Sequence, residues 1–125
     1  MRKIIIVMAT VLVASTAAAL AHDVAKGPNG GQVVEDAGHH VEFTTKDTQV
    51  VLFLTEASDA PLATKGATGR VIVQDGAAQA MADLTATEPN QLKAKLAAPV
   101  KPGSKLVVSI KLADGHDVKA RFVAK

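Results

Sequence analysis

The sequence contains no cysteine, no tryptophan and no tyrosine, and only three of its 125 residues are phenylalanine. Without cysteine there are no disulfides and no thiolate ligands, so any metal site has to use nitrogen and oxygen donors. The shortage of aromatic side chains leaves valine, leucine and alanine to build a core of modest stability. The sequence also lacks a complete phosphate-binding loop, a nucleophile elbow and paired carboxylates, so we do not expect an enzyme.

The first residues have the form of a secretory signal peptide. Arg2 and Lys3 precede an uncharged run over residues 4–21, which becomes rich in alanine, serine and threonine and ends in Ala-Leu-Ala. These features predict a leader over residues 1–21 that is cleaved, giving a periplasmic chain without stable membrane insertion. The alternative is a transmembrane anchor, because the run is nearly long enough to span a bilayer. No basic cluster follows the run, which favours the leader.

Removal of the leader also changes the charge. Arg2 and Lys3 account for two of the 14 basic residues, which leaves 12 against 12 acidic residues. A neutral chain without a basic patch gives no reason to expect nucleic acid as a partner. We expect a flexible N-terminal arm over residues 22–31, which has turn residues and no periodicity, followed by one domain over residues 32–125.

Short runs of strand-like sequence separated by turn residues fill the predicted domain. Residues 39–45 alternate between apolar and polar, whereas residues 50–55 are apolar on both parities, as in a central strand. Asp75-Gly76 and Asp114-Gly115 are hairpin signals, and residues 77–87 form an alanine-rich strand that would also tolerate a helix. The pattern predicts an all-β fold, a small antiparallel immunoglobulin-like sandwich of about seven to eight strands, with a small barrel as the alternative.

His40 and Glu42 are the main candidates for metal binding. Residues two apart in a strand point to the same face, so this imidazole and this carboxylate can converge on one ion. Nitrogen and oxygen donors favour Cu(II), Zn(II), Ni(II) or Co(II). His39 has the opposite parity and either joins the ligand set or packs at the end of the core. The alternative for the whole segment is a solvated polar edge.

Two further histidines extend the candidate set. Cleavage of the leader would expose the α-amine of His22 beside its own imidazole, and the two groups can chelate a cation together. His116 follows the second hairpin signal, where the returning strand either brings it near the other ligands or leaves it exposed in a turn.

Three segments together resemble small exported proteins of proteobacteria that occur with heavy-metal efflux genes: Lys26-Gly-Pro-Asn-Gly-Gly31, His39-His-Val-Glu42 and Val51-Leu-Phe-Leu-Thr55. A Gly-Pro-x-Gly-Gly segment similar to residues 27–31 occurs in some periplasmic adaptor subunits of heavy-metal efflux pumps. The resemblance implies a β-sandwich with a metal-related periplasmic role, carried by His39, His40 and Glu42. The position of His22 also resembles the N-terminal histidine of periplasmic copper carriers.

We therefore expect a periplasmic protein that binds a divalent metal ion. It would act as a chaperone, buffer or accessory of a heavy-metal efflux system, with a periplasmic adaptor as its protein partner. The alternative is a metal-free interaction module of the cell envelope, in which the edge of a β-sheet docks on a partner.

Overall fold

The structure, a computed structural model, describes residues 25–125 and is all-β, with no helix in that range. Nine strands are present: β1 (Ala25–Lys26), β2 (Gln32–Asp36), β3 (His39–Lys46), β4 (Gln49–Glu56), β5 (Thr68–Asp75), β6 (Ala78–Thr87), β7 (Gln91–Lys95), β8 (Lys105–Lys111) and β9 (Asp117–Val123). Because it has no helix, this part of the chain has none long and apolar enough to cross a membrane. The predicted leader and His22 lie outside the described residues.

All nine strands form one antiparallel sheet that curls into two layers. The strand order is β1-β2-β3-β4-β7-β6-β5-β8-β9. Strand β6 connects the layers, since residues 85–87 pair with β7 and residues 78–85 pair with β5. At the other end of the sheet β9 packs against β2, where Gln32 Nε2 donates a hydrogen bond of 2.8 Å to the Val123 carbonyl. We call β1, β2, β3, β4 and β7 the first layer, and β5, β8, β9 and residues 78–85 of β6 the second layer.

The hydrophobic core lies between the two layers and follows the alternation of the strands. Leu52 and Leu54 of β4 are fully buried, as are Leu106 and Val108 of β8. The rings of Phe43 and Phe122 stack with their centroids 5.0 Å apart, which ties β3 to β9. Stacked aromatic pairs of this kind add to the stabilisation from burial alone.

The predicted all-β antiparallel class and its sandwich-like core are confirmed. The alanine-rich residues 77–87, which would have tolerated a helix, are a strand from residue 78 onwards. The strand count is nine because Ala25 and Lys26 pair with Val33 and Gln32. Within the predicted N-terminal arm, residues 25–31 form β1 and a hydrogen-bonded loop that follows it.

We expect Leu52→Ala to lower the free energy of unfolding by about 2–5 kcal/mol, because it leaves a cavity at a fully buried site. Val123→Ala is the control, since this side chain is 53% exposed and its truncation should cost less than about 0.5 kcal/mol. Urea unfolding followed by circular dichroism measures both. Similar losses in the two variants would contradict the packing of β4 in the core.

Candidate functional site

The carboxylate of Glu42 is buried beneath the loop of residues 27–31. Glu42 is 4% exposed, and its oxygens accept hydrogen bonds from the Asn29 backbone N–H at 2.9 Å, Asn29 Nδ2 at 3.0 Å and the Gly31 backbone N–H at 2.9 Å. Charge-assisted hydrogen bonds of this kind offset the cost of removing a carboxylate from water. Both oxygens of Glu42 therefore have partners within the protein, and the residue anchors the loop.

Gly27 and Gly31 are required in this loop because neighbouring groups lie where a side chain would be. A side-chain carbon added at Gly27 would overlap the Glu42 carboxyl group, and one added at Gly31 would overlap the Phe43 carbonyl. The turn is closed by hydrogen bonds from the Gly27 N–H to the Gly31 carbonyl (2.8 Å) and from the Gly30 N–H to the Gly27 carbonyl (3.0 Å). The Gly-Pro-Asn-Gly-Gly segment is thus explained by the geometry that covers a buried carboxylate.

A cavity open to solvent lies beside this loop on the outer side of the first layer. His40 and Glu42 both line it, as expected from their spacing of two residues in β3, together with Phe53 and Asn90. Ala25, the first described residue, lines it as well. The cavity therefore brings polar groups from four strands and three loops to one place, next to the beginning of the described chain.

His40 is placed between two carboxylates. Its Nδ1 lies 3.5 Å from Asp59 Oδ1, and its Nε2 lies 3.8 Å from Glu35 Oε2. The His40 side chain is 24% exposed, whereas both carboxylates are largely exposed. Glu35 is the cross-strand neighbour of His40 in the β2–β3 hairpin, and Asp59 comes from the loop that follows β4. Each ring nitrogen thus has its own oxygen partner.

The predicted set of His39, His40, Glu42 and His116 is not brought together. Among residues 25–125, no group of three or more histidine, aspartate and glutamate side chains is arranged to hold one metal ion. The carboxylate of Glu42 is engaged by the loop, and the two carboxylates near His40 lie at opposite ring nitrogens. His39 Nδ1 is buried and has no hydrogen-bond partner in the described part of the chain.

His116 forms a separate pair with Asp114. The His116 backbone N–H donates a hydrogen bond of 3.0 Å to Asp114 Oδ1, and His116 Nδ1 lies 2.7 Å from Asp114 Oδ2. The backbone hydrogen bond, followed by the side-chain hydrogen bond, holds the pKa of the Asp114 carboxyl group below its usual range. This contact lies within the loop between β8 and β9, so the His116 ring already has a local partner.

Two residues of this site, Glu35 and Asp59, were not among the sequence-based candidates. Glu35 could have been found, because a two-residue turn at Ala37 and Gly38 makes it the cross-strand partner of His40. Asp59 has no comparable signal. Its position depends on the loop after β4, in which Thr55 forms an isolated bridge with Pro61.

Comparisons with known proteins give little further information. No protein-family profile matches the sequence, and no curated protein matches it. Among solved structures, the chain is similar to one titled "Crystal structure of Br derivative BhCBM56", with 14% identity and a TM-score of 0.43. That similarity covers 74% of this chain and 99% of the other. At this TM-score the similarity supports no conclusion about fold or function.

We expect Glu42→Gln to lower the free energy of unfolding by about 1–3 kcal/mol, because the new amide group would face N–H donors in a buried site. Glu35→Gln is the matched control: it makes the same chemical change at a side chain that is 67% exposed. It should alter stability by less than about 0.5 kcal/mol. Urea unfolding compares the two, and equal stabilities would contradict the anchoring role of Glu42.

Proposed function

We propose that this protein binds a divalent metal ion at the cavity that contains His40. The observation that carries the proposal is the distance of 3.5 Å between His40 Nδ1 and Asp59 Oδ1. Two donors bound to a tetrahedral ion through bonds of about 2.1 Å lie about 3.4 Å apart. The imidazole and the carboxylate are therefore spaced for one ion with little movement of either side chain.

Glu35 supports the same arrangement from the other side of the ring. A histidine that binds a metal through one nitrogen usually gives the N–H of its other nitrogen to a carboxylate or carbonyl, which fixes the ring orientation. Glu35 Oε2 lies 3.8 Å from His40 Nε2 and can take this part after a small rotation. In this assignment Asp59 and His40 are ligands, Glu35 orients the ring, and Glu42 holds the adjoining loop.

His22 is the proposed source of further ligands. Ala25 lines the His40 cavity, and three residues of extended chain reach at most about 10 Å. The imidazole of His22, and its α-amine if the leader is cleaved, would complete a set of nitrogen and oxygen donors suited to Cu(II), Zn(II), Ni(II) or Co(II). This ligand set replaces the predicted one that included Glu42, His39 and His116.

The proposed biological role rests on the sequence resemblance. A signal peptide would deliver the protein to the periplasm, where it would act as a metal chaperone, buffer or accessory of a heavy-metal efflux system. Its proposed protein partner is a periplasmic adaptor of such a system. Metal ligation requires neutral imidazole, so the affinity should fall as the solution is acidified.

A metal-free interaction module is the second candidate function, and the edge of β6 favours it. In the described part of the chain, residues 78–84 pair with β5 on one side and with no strand on the other. An unpaired strand edge can accept an extended segment of another protein through backbone hydrogen bonds. This function would be independent of the histidines.

Calorimetric titration of residues 22–125 with Zn(II), Cu(II), Ni(II) and Co(II) tests the metal-binding proposal. We expect His40→Ala and Asp59→Asn each to weaken binding at least about tenfold, because each removes a proposed ligand. Glu35→Gln should also weaken binding, because it removes the group that orients the ring.

His116→Ala is the matched control for the loss of an imidazole, since His116 is held by Asp114 in another loop. It should leave the affinity unchanged. Equal affinities of wild type and His40→Ala would exclude this site. Absence of metal binding by the wild type would favour the interaction module.

A further inference from the structure

The outer surface of the second layer differs from the rest of the molecule in its charge and its apolar side chains. Residues directly opposite each other on neighbouring strands point to the same side of the sheet, so the register identifies this surface. It consists of every second residue in four strands. These are the odd-numbered residues from 79 to 85 of β6, from 105 to 111 of β8 and from 117 to 123 of β9, and the even-numbered residues from 68 to 74 of β5. We call it the basic face.

The basic face carries five basic and two acidic side chains, which gives it a net charge of +3. The basic residues are Arg70, Lys105, Lys111, Lys119 and Arg121, and the acidic residues are Asp83 and Asp117. Among residues 25–125, only Arg70 of these five has a carboxylate within 4.0 Å, that of Asp83 at 3.5 Å. The other four have no carboxylate within that distance in the same range and are available to an external anion, although the Asp36 carboxylate of β2 borders the face, where it accepts a hydrogen bond of 2.8 Å from the Lys119 backbone N–H.

Without the predicted leader the chain has equal numbers of basic and acidic residues, so its net charge gives no indication of this basic face. Residues 91–125 contain eight basic and two acidic side chains, whereas residues 25–90 contain four basic and nine acidic ones. Strands β8 and β9 come from the basic part of the chain and lie side by side. The fold therefore converts a difference along the sequence into a charged surface.

The same face carries the exposed apolar side chains. Met81 is 58% exposed and Val123 is 53% exposed, and these are the two large hydrophobic residues exposed in the described part of the chain. Met81 lies in one cross-strand row with Ile72, Val107 and Arg121, and the two middle members are half-buried. An apolar row is thus bordered by cations.

We infer that the basic face docks peripherally on an anionic lipid bilayer. Neighbouring strands lie about 4.8 Å apart, so Met81 on β6 and Val123 on β9 are about 14 Å apart across the sheet. A single extended peptide along the strands would not cover both, whereas a planar surface does.

A depression on the basic face, next to the row that contains Met81, fits the phosphate groups of lipids. Arg70, Ser109 and Lys119 line it, together with the carboxylates of Asp83 and Asp117. Interfacial binding of proteins to anionic membranes combines apolar contacts with clustered basic residues in this way. The docking is independent of the proposed metal site.

Co-sedimentation of residues 22–125 with lipid vesicles tests the inference. We expect binding to vesicles of phosphatidylcholine and phosphatidylglycerol in equal parts, weakening as salt is raised, and none to phosphatidylcholine alone. The double variant Lys119→Glu/Arg121→Glu should bind the anionic vesicles at least about tenfold more weakly. Met81→Gln/Val123→Thr should also weaken binding, and it should do so at high salt as well.

The matched control is Lys93→Glu/Lys95→Glu, which makes the same change of charge on β7 of the first layer. It should bind nearly as the wild type does, and thermal unfolding verifies that all variants fold. Equal loss in the two charge-reversed variants, or equal binding to neutral vesicles, would overturn the inference. Binding to polyglutamate without binding to vesicles would also overturn it, because the partner would then be an acidic polypeptide. Full competition by inorganic phosphate at constant ionic strength would likewise overturn it, because the face would then bind free anions.

Discussion

The buried carboxylate of Glu42 is the constraint on which the arrangement of the first layer depends. It sits under the loop of residues 27–31 and is satisfied by three N–H donors of that loop. A carboxylate left without these donors would be costly to bury, so the loop and the charge require each other. The loop in turn brings Ala25 and β1 against β2, and this forms one wall of the His40 cavity.

Most of the fold follows from the amino-acid sequence because strand alternation is a local property. The alternation in residues 39–45, the apolar run at residues 50–55 and the hairpin glycines all correspond to strands and turns in the structure. The shared face of His40 and Glu42 was also predicted correctly from their spacing. These features depend on residues close together in the chain.

The composition of the candidate site could not be predicted in the same way, because it depends on which groups satisfy one another in space. The sequence does not reveal that Asn29 and Gly31 engage both oxygens of Glu42, which makes it an anchor and no longer a free ligand. Asp59 reaches His40 only through the path of the loop after β4. His116 contacts Asp114 within its own loop.

The two proposed surfaces lie on opposite sides of the sandwich. His40 and its cavity are on the outer side of the first layer, and the basic face is the outer side of the second, with the buried side chains of both layers between them. A molecule docked on lipid through the basic face would keep the His40 cavity open to the surrounding solution. Metal binding and membrane docking are therefore compatible in one molecule.

The most direct test of the metal-binding account is a titration of residues 22–125 with Zn(II), which is diamagnetic, followed through the imidazole signals of the four histidines by nuclear magnetic resonance. The account predicts that the His40 signals are displaced or broadened first, together with those of His22, while the His116 signals stay in place until excess metal is added. Early displacement of His116, or no displacement of His40, would contradict the assignment of His40 and Asp59 as ligands.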